Sequence, residues 1–124
     1  MAIVLCIDDD HAGLMLRKWM LESKGYQVLT APGGRAGLAL ARRFILDAVV
    51  LDFQMPHMNG EQVAKLLRRD YPKLPIILLC GSGEVPGSVL SMVSEYLEKD
   101  APDLHAALDR ALSRITRRQF GRAA

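Results

Sequence analysis

Acidic side chains and one lysine stand at points where a chain of alternating strands and helices would bring them together. Asp8, Asp9 and Asp10 follow one apolar run, Asp52 ends another, and Lys99 follows a third. Clustered carboxylates raise one another's pKa values unless a cation lies among them. Because oxygen ligands occur here without histidine or further cysteine at ligand spacing, the pattern predicts a Mg²⁺ site rather than a zinc site.

A lysine opposite such carboxylates predicts phosphoryl chemistry. Lys99 would pair with a phosphoryl oxygen, and a carboxylate facing both lysine and Mg²⁺ is arranged to attack phosphorus and form an acyl phosphate. Such a transfer depends mainly on positioning and charge neutralisation. Two simpler interpretations stay open. The run Asp8–Asp10 can be a solvated turn that caps a helix, Asp10 above all, and Lys99 taken alone is an ordinary surface lysine.

The elements that must position these residues alternate along the chain. Five strands alternating with helices favour a doubly wound α/β fold with a parallel sheet, helices on both faces, and a ligand site at the carboxyl edge of the strands. Apolar runs predict strands at Ala2–Ile7, Tyr26–Thr30, Asp47–Leu51, Ile76–Cys80 and Glu95–Leu97. Helices are predicted at Leu14–Lys24, Arg35–Arg43, Gly60–Arg69 and from about Pro102 to Arg118, with a short one at best at Ser88–Val93.

The first helix has two possible apolar surfaces. Leu16, Met20 and Leu21 are spaced as a stripe that faces the core. Met15 and Trp19 lie one turn apart and off that stripe. They either widen the core face or form an exposed apolar patch for a partner.

Composition excludes several classes of protein. The 124 residues fit one domain, 1–124, and half of them are apolar. A net charge of +2 is too small to indicate a nucleic-acid or membrane partner, and no apolar run approaches the roughly 20 residues that span a bilayer. Cys6 and Cys80 lie inside apolar runs, as free buried cysteines do, so we expect no disulfide and a cytoplasmic location.

Three blocks resemble the signatures of the response-regulator receiver family of two-component signalling, in the chemotaxis-regulator-like superfamily. They are IVLCIDDD at 3–10, LDFQMPHMNG at 51–60 and YLEK at 96–99. The resemblance implies a flavodoxin-like sheet of strand order 2-1-3-4-5. It also implies Mg²⁺ as cofactor and a phosphoryl group taken from a histidine kinase or phosphotransfer protein. Such a chain is not an enzyme beyond its own phosphotransfer and slow autodephosphorylation.

The resemblance also implies a role for each matching residue. Asp52 corresponds to the phosphoacceptor and Lys99 to the lysine that grips the phosphoryl group. Tyr96 corresponds to the aromatic that swings inward on activation, although simple packing is the alternative. The implied Mg²⁺ ligands are Asp8, Asp9, Asp52 and the backbone carbonyl of Gln54, and Met55, Pro56 and Gly60 match the turn after the acceptor.

Two departures from the family pattern affect its response to phosphorylation. Cys80 stands where the family has Thr or Ser, and a thiol donates only weak hydrogen bonds; Ser82 comes two residues too late. The stretch from Cys80 to Lys99 is about three residues shorter than usual, and Asp100 replaces a proline. We therefore expect a short or irregular fourth helix and a weakly coupled switch.

Two rival functions and one expectation about output follow. One rival is a degenerate, phosphate-independent receiver that acts as a protein-binding module. The other is an aspartyl-phosphate phosphatase, which would need a second aspartate where Gln54 stands. Because no effector segment follows within these 124 residues, we expect a stand-alone protein with no DNA-binding domain and no membrane contact, whose output partner is an unknown protein.

Overall fold

Five parallel strands form one sheet in the computed structural model, which describes residues 1–81, 83, 85–99 and 103–123, with side chains up to Arg114. The order β2-β1-β3-β4-β5 confirms the predicted topology. Ile7 pairs with Leu51 and Asp52 with Leu79, so the carboxyl ends of the central strands are level. The strands are β1 (Ile3–Ile7), β2 (Gln27–Ala31), β3 (Ala48–Asp52), β4 (Ile76–Cys80) and β5 (Glu95–Glu98).

Helices cover both faces of the sheet, as predicted. They are α1 (His11–Ser23), α2 (Gly34–Arg43), α3 (Gly60–Asp70), α4 (Gly87–Leu90) and α5 (Leu104–Ala123). Helices α1 and α5 pack on one face and α2, α3 and α4 on the other. With four residues, α4 confirms the expected short fourth helix. None of the helices in the described part of the chain has the length and apolar character needed to cross a membrane.

The core lies in two layers because successive strand residues point to opposite faces. In β1, Val4 and Cys6 pack under α1 and α5, whereas Leu5 and Ile7 pack under α2 and α3. Each fully buried side chain of this size contributes roughly 1.5–3 kcal/mol. Cys6 and Cys80 are free and buried, as expected. The central strands are therefore held rigidly where they end.

The inward face of α1 differs from the predicted one. Leu14, Arg17 and Leu21 are buried, whereas Leu16 is 59% exposed and Trp19 is 68% exposed. Met15 is half-buried and packs against the core. The predicted core position of Leu16 was therefore wrong, and Trp19 lies on an exposed surface. The pattern misled because an arginine occupies the centre of the buried face, where a sequence argument expects an apolar residue.

The last helix follows its prediction where side chains are described. Pro102, near its predicted start, lies outside the described residues, and the side chain of Ile115 is not among those described. The stripe before that point faces the core: Leu104, Leu108 and Ala111 are buried, and Leu112 is half-buried.

Arg68, near the end of α3, fastens two turns to each other. Its guanidinium donates hydrogen bonds to the carbonyl oxygen of Met92, at 2.9 and 2.7 Å, and to those of Pro72 at 2.8 Å and Leu74 at 2.9 Å. The segment between α4 and β5 is thus fixed to the turn that precedes β4.

Candidate functional site

Backbone hydrogen bonds fix the residues that leave the strands. The Asp8 N–H donates to the carbonyl of Ala31 at 3.2 Å, and the Phe53 N–H donates to that of Leu79 at 2.8 Å. The Lys99 N–H donates to the carbonyl of Cys80 at 2.9 Å. The side chains at this edge are therefore placed by the sheet rather than by flexible loops.

The predicted cluster of acids and lysine forms at this edge. Asp8 and Asp52 are each 1% exposed and Asp9 is exposed. One carboxylate oxygen from each of the three lies within 4.8 Å of the others. The Lys99 ammonium lies 3.4 Å from Asp52 Oδ2 and 3.4 Å from Asp8 Oδ2. Residues distant in sequence therefore meet as the strand-end argument predicts.

The negative charge of Asp52 is only partly balanced by its neighbours in this arrangement. Burial and the neighbouring charge of Asp8 raise the pKa of Asp52 to about 6, against the opposing effect of Lys99. Its Oδ1 is buried and has no hydrogen-bond partner among the described residues. An acidic oxygen without a partner, next to two further carboxylates, is a suitable ligand for a hard cation. The donor set therefore fits Mg²⁺.

The negative charge of Asp8, by contrast, is well balanced by neighbouring donors and cations. Burial alone would raise its pKa, but the Asp10 N–H, Arg17 and Lys99 together hold the pKa of Asp8 below its usual range. The Asp10 N–H donates to Asp8 Oδ1 at 2.9 Å, and the Arg17 guanidinium donates to Asp8 Oδ2. The same carboxylates hold the pKa of Lys99 above its ordinary value, although burial opposes its charge.

Arg17 is the site residue that the sequence analysis missed. Its spacing from Leu14 and Leu21, three and four residues away, was the available signal, because it places Arg17 on their face of the helix. The helix-cap interpretation of Asp10 is half right. Asp10 occupies the N-cap position of α1, but its side chain makes no capping hydrogen bond within the described chain.

The loop after Asp52 is shaped by close backbone contact. A Cβ atom on Gly60 would lie 2.6 Å from Phe53 Cα and 2.8 Å from the carbonyl oxygen of Asp52, so only glycine fits there. Asn59 caps α3, and its side chain accepts a hydrogen bond from the Gln62 N–H at 3.0 Å. Met55 is buried in the core under α3. These contacts fix the start of α3 against the end of β3.

Gln54 lies at the mouth of the cluster. It is exposed, and a Cβ atom on Gly81 would lie 3.7 Å from Gln54 Oε1 and 3.9 Å from Lys99 Cδ. The ends of β3, β4 and β5 therefore converge around Gly81.

Cys80 and Tyr96 lie beside this cluster but differ in exposure. Cys80 is 1% exposed, whereas Tyr96 is 39% exposed. Desolvation raises the pKa of Tyr96, as do the neighbouring Cys80 and Glu98. Ser82, which comes two residues too late to supply the hydroxyl that Cys80 lacks, lies outside the described residues. The thiol and the aromatic ring are thus neighbours, with the ring on the outer side.

Comparison with known proteins identifies the family. The response regulator receiver domain family matches residues 4–109. The chain belongs to this family. Among its relatives, it is 35% identical over 118 residues to the transcriptional regulatory protein GlrR of Escherichia coli, covering 90% of this chain and 26% of that protein. It is 36% identical over 118 residues to the tetrathionate response regulatory protein TtrR of Salmonella typhimurium, covering 91% and 57%.

Solved receiver structures share the fold. A response regulator receiver domain protein from Clostridium thermocellum superposes with a TM-score of 0.87 at 31% identity, covering 94% of this chain and 98% of that one. The response regulator TrrA from Thermotoga maritima, solved in complex with Mg²⁺ and BeF, gives a TM-score of 0.85 at 28% identity, covering 90% and 100%.

The relatives correct the expectation about output. The chain spans about a quarter of the length of GlrR and just over half of the length of TtrR. GlrR is a transcriptional regulatory protein. The expectation of no DNA-binding domain was therefore wrong. A receiver domain completes its own core, so its length carries no information about the domains with which it works.

Proposed function

We propose that residues 1–124 form one receiver domain that accepts a phosphoryl group on Asp52, with Mg²⁺ as cofactor and a histidine kinase or phosphotransfer protein as donor. One observation carries this proposal. The carboxylate of Asp52 is buried at the end of β3, with Oδ2 3.4 Å from the Lys99 ammonium and Oδ1 without a partner among the described residues. The Mg²⁺ complex of the related TrrA supports the choice of metal.

The transfer is a displacement at phosphorus. An oxygen of ionised Asp52 attacks the phosphoryl group, a P–O bond forms, and the P–N bond to the donor imidazole breaks. The electron pair leaves with the imidazole nitrogen, which is protonated by solvent. Lys99 pairs with a phosphoryl oxygen. Asp8, Asp9, Asp52 and the Gln54 carbonyl would hold Mg²⁺, which supplies charge neutralisation at the transferring oxygens.

Only the ionised form of Asp52 can act as nucleophile. Because burial and Asp8 raise its pKa to about 6, Asp52 is increasingly protonated as pH falls through 6 in the absence of metal. A cation between the carboxylates favours their charged forms. Metal binding and nucleophilicity are therefore linked in this proposal.

Signal output would use the side of the site formed by Cys80, α4 and β5. Tyr96 is exposed beside buried Cys80, so an inward movement of its ring would change the outer surface. The Cys80 thiol would hold a phosphoryl oxygen less strongly than a hydroxyl does. A protein partner would read this surface. The two buried free thiols support the prediction of a cytoplasmic location.

Incubation with acetyl phosphate and Mg²⁺ tests the proposal. Intact-mass spectrometry should show one added phosphoryl group, about +80 Da, in the wild type and none in Asp52→Asn. Asp47→Asn is the matched control, because Asp47 is an exposed aspartate just before the same strand. Labelling of Asp52→Asn at the wild-type level contradicts the assignment. Absence of labelling in the wild type would favour the phosphate-independent binding module instead.

A further inference from the structure

A buried arginine contacts a carboxylate of the proposed metal site. Arg17 is 8% exposed and lies on the inward face of α1 with Leu14 and Leu21. Its guanidinium Nη2 donates to Asp8 Oδ2, and the two side chains are 10% and 1% exposed. A charge at this depth is tolerated only with a charged, hydrogen-bonded partner. Arg17 and Asp8 therefore form a unit.

The first turn of α1 is built to let Arg17 reach Asp8. Helical side chains lean toward the N-terminus, so Arg17 runs back over Gly13, one turn earlier. A Cβ atom on Gly13 would lie 2.9 Å from Asp10 Oδ2 and 3.6 Å from Arg17 Nη1. Glycine weakens a helix interior, and a cation near a helix N-terminus opposes the helix dipole. The carboxylate of Asp8 offsets the unfavourable charge of Arg17, and the absence of a side chain at Gly13 leaves room for the guanidinium.

Arg17 also changes the charge balance of the site. Three carboxylates, Asp8, Asp9 and Asp52, face two cations, Arg17 and Lys99, which leaves one excess negative charge when all five are ionised. Without Arg17 the excess would be two, which equals the charge of Mg²⁺. Asp8 Oδ1 already accepts from the Asp10 N–H and Oδ2 from Arg17, so little of Asp8 is left for a metal.

We propose that Arg17 is a resident counter-cation that holds Asp8 and weakens Mg²⁺ binding at the receiver site. Arg17 is a positioning residue, because it acts through Asp8 and not on the phosphoryl group. The inference rests on the proposed function only for the place of the metal. Its physical basis is repulsion between the guanidinium and a divalent cation that share one carboxylate.

Two variants of the complete chain separate charge from orientation. Arg17→Gln keeps a hydrogen-bond donor for Asp8 but removes the charge, and Arg17→Lys keeps the charge but removes the planar fork. Isothermal titration with MgCl₂ should show binding to Arg17→Gln about tenfold tighter than to the wild type, equivalent to about 1.4 kcal/mol. Arg17→Lys should stay within about twofold of the wild type.

Thermal unfolding gives a second readout, independent of phosphorylation. In EDTA, Arg17→Gln should unfold at a lower temperature than the wild type, because the buried Asp8 carboxylate loses a positively charged partner. Added Mg²⁺ should narrow that difference, since a ligand stabilises most the variant that it binds most tightly.

Equal or weaker Mg²⁺ binding by Arg17→Gln would overturn the inference and leave Arg17 a structural ion pair. Equally tight binding by Arg17→Gln and Arg17→Lys would also overturn it, since charge would then not matter, and so would absence of Mg²⁺ binding in every variant. Failure of acetyl phosphate labelling is a separate result. It would show that Asp52 is not the phosphoacceptor. The order of Mg²⁺ affinities would still be tested by titration.

Discussion

The two sides of the candidate site are built very differently. The acceptor side comprises Ile3–Asp10 and Ala48–Gly60, and the response side comprises residues 80–99. On the acceptor side every residue of β3 is buried, and the following helix starts with a reciprocal cap. On the response side β5 alternates half-buried and exposed residues, and α4 has four residues.

This difference separates chemistry from response. Fully buried strands hold Asp52 and Asp8 within a narrow geometry, which positioning catalysis requires. A thinly packed segment reorganises at lower free-energy cost. If Asp52 accepts a phosphoryl group as proposed, the response side is the part of the molecule expected to shift.

A matched pair of leucine truncations tests the contrast most strongly. Leu51→Ala in β3 should lower the free energy of unfolding by about 3 kcal/mol, because the side chain is fully buried in close packing. Leu90→Ala in α4, where the side chain is 42% exposed, should cost about 0.5 kcal/mol or less. Urea unfolding monitored by circular dichroism measures both. Comparable losses would show that the response side is as tightly packed as the acceptor side.

Cys80→Thr should increase the response of Tyr96 to a phosphoryl group without changing the acceptor side. A hydroxyl bonds a phosphoryl oxygen more strongly than a thiol, and about 1.4 kcal/mol of differential affinity changes the ratio of active to inactive states about tenfold. The NMR shifts of the Tyr96 ring, recorded with Mg²⁺ and a beryllofluoride mimic, should move further in the variant. Cys6→Thr, at the other buried free thiol, is the control, because β3 and β4 lie between its strand β1 and the Tyr96 strand β5. An equal and full response in wild type and Cys80→Thr would show that the thiol suffices.

Asp52→Asn should change how metal-free stability depends on pH. A carboxyl whose folded pKa is raised from 3.8 to about 6 destabilises the fold above pH 6, and this penalty disappears as pH falls from 6 toward 4. The variant should therefore be more stable than wild type at pH 8 in EDTA, by on the order of 1 kcal/mol, and should lose this advantage at pH 4.

Asp70→Asn is the control for the sign of that effect. Arg69 lowers the pKa of exposed Asp70, so its small contribution to stability is present at neutral pH and is lost in acid. An advantage of Asp52→Asn that persists unchanged at pH 4 would show that burial of Asp52 does not raise its pKa.

Sequence reasoning predicted the acceptor side well because its signals are local. Continuous apolar runs mark β1, β3 and β4 as doubly buried strands, and parallel pairing then requires Asp8, Asp52 and Lys99 to meet at one edge. The role of each residue in phosphoryl transfer stays a prediction.

The sequence was less informative about α1, where the decisive interaction is not local. Leu16 and Leu14 have the same apolar character, and periodicity alone does not show which faces the sheet. The buried face of α1 includes Arg17, whose partner Asp8 lies nine residues earlier and beyond the helix start. An arginine becomes a core residue only through such a partner, and spacing rules do not contain that information.

Arg68 has a consequence for how the sequence of such a domain can change. Its acceptors among the described residues between α3 and β5 are backbone carbonyl oxygens, those of Pro72, Leu74 and Met92 among them. Because every amino acid supplies a carbonyl, substitutions at these acceptor positions that keep the backbone path leave the hydrogen bonds in place. The segment between α4 and β5 can therefore change its side chains while its attachment to the turn that precedes β4 is kept.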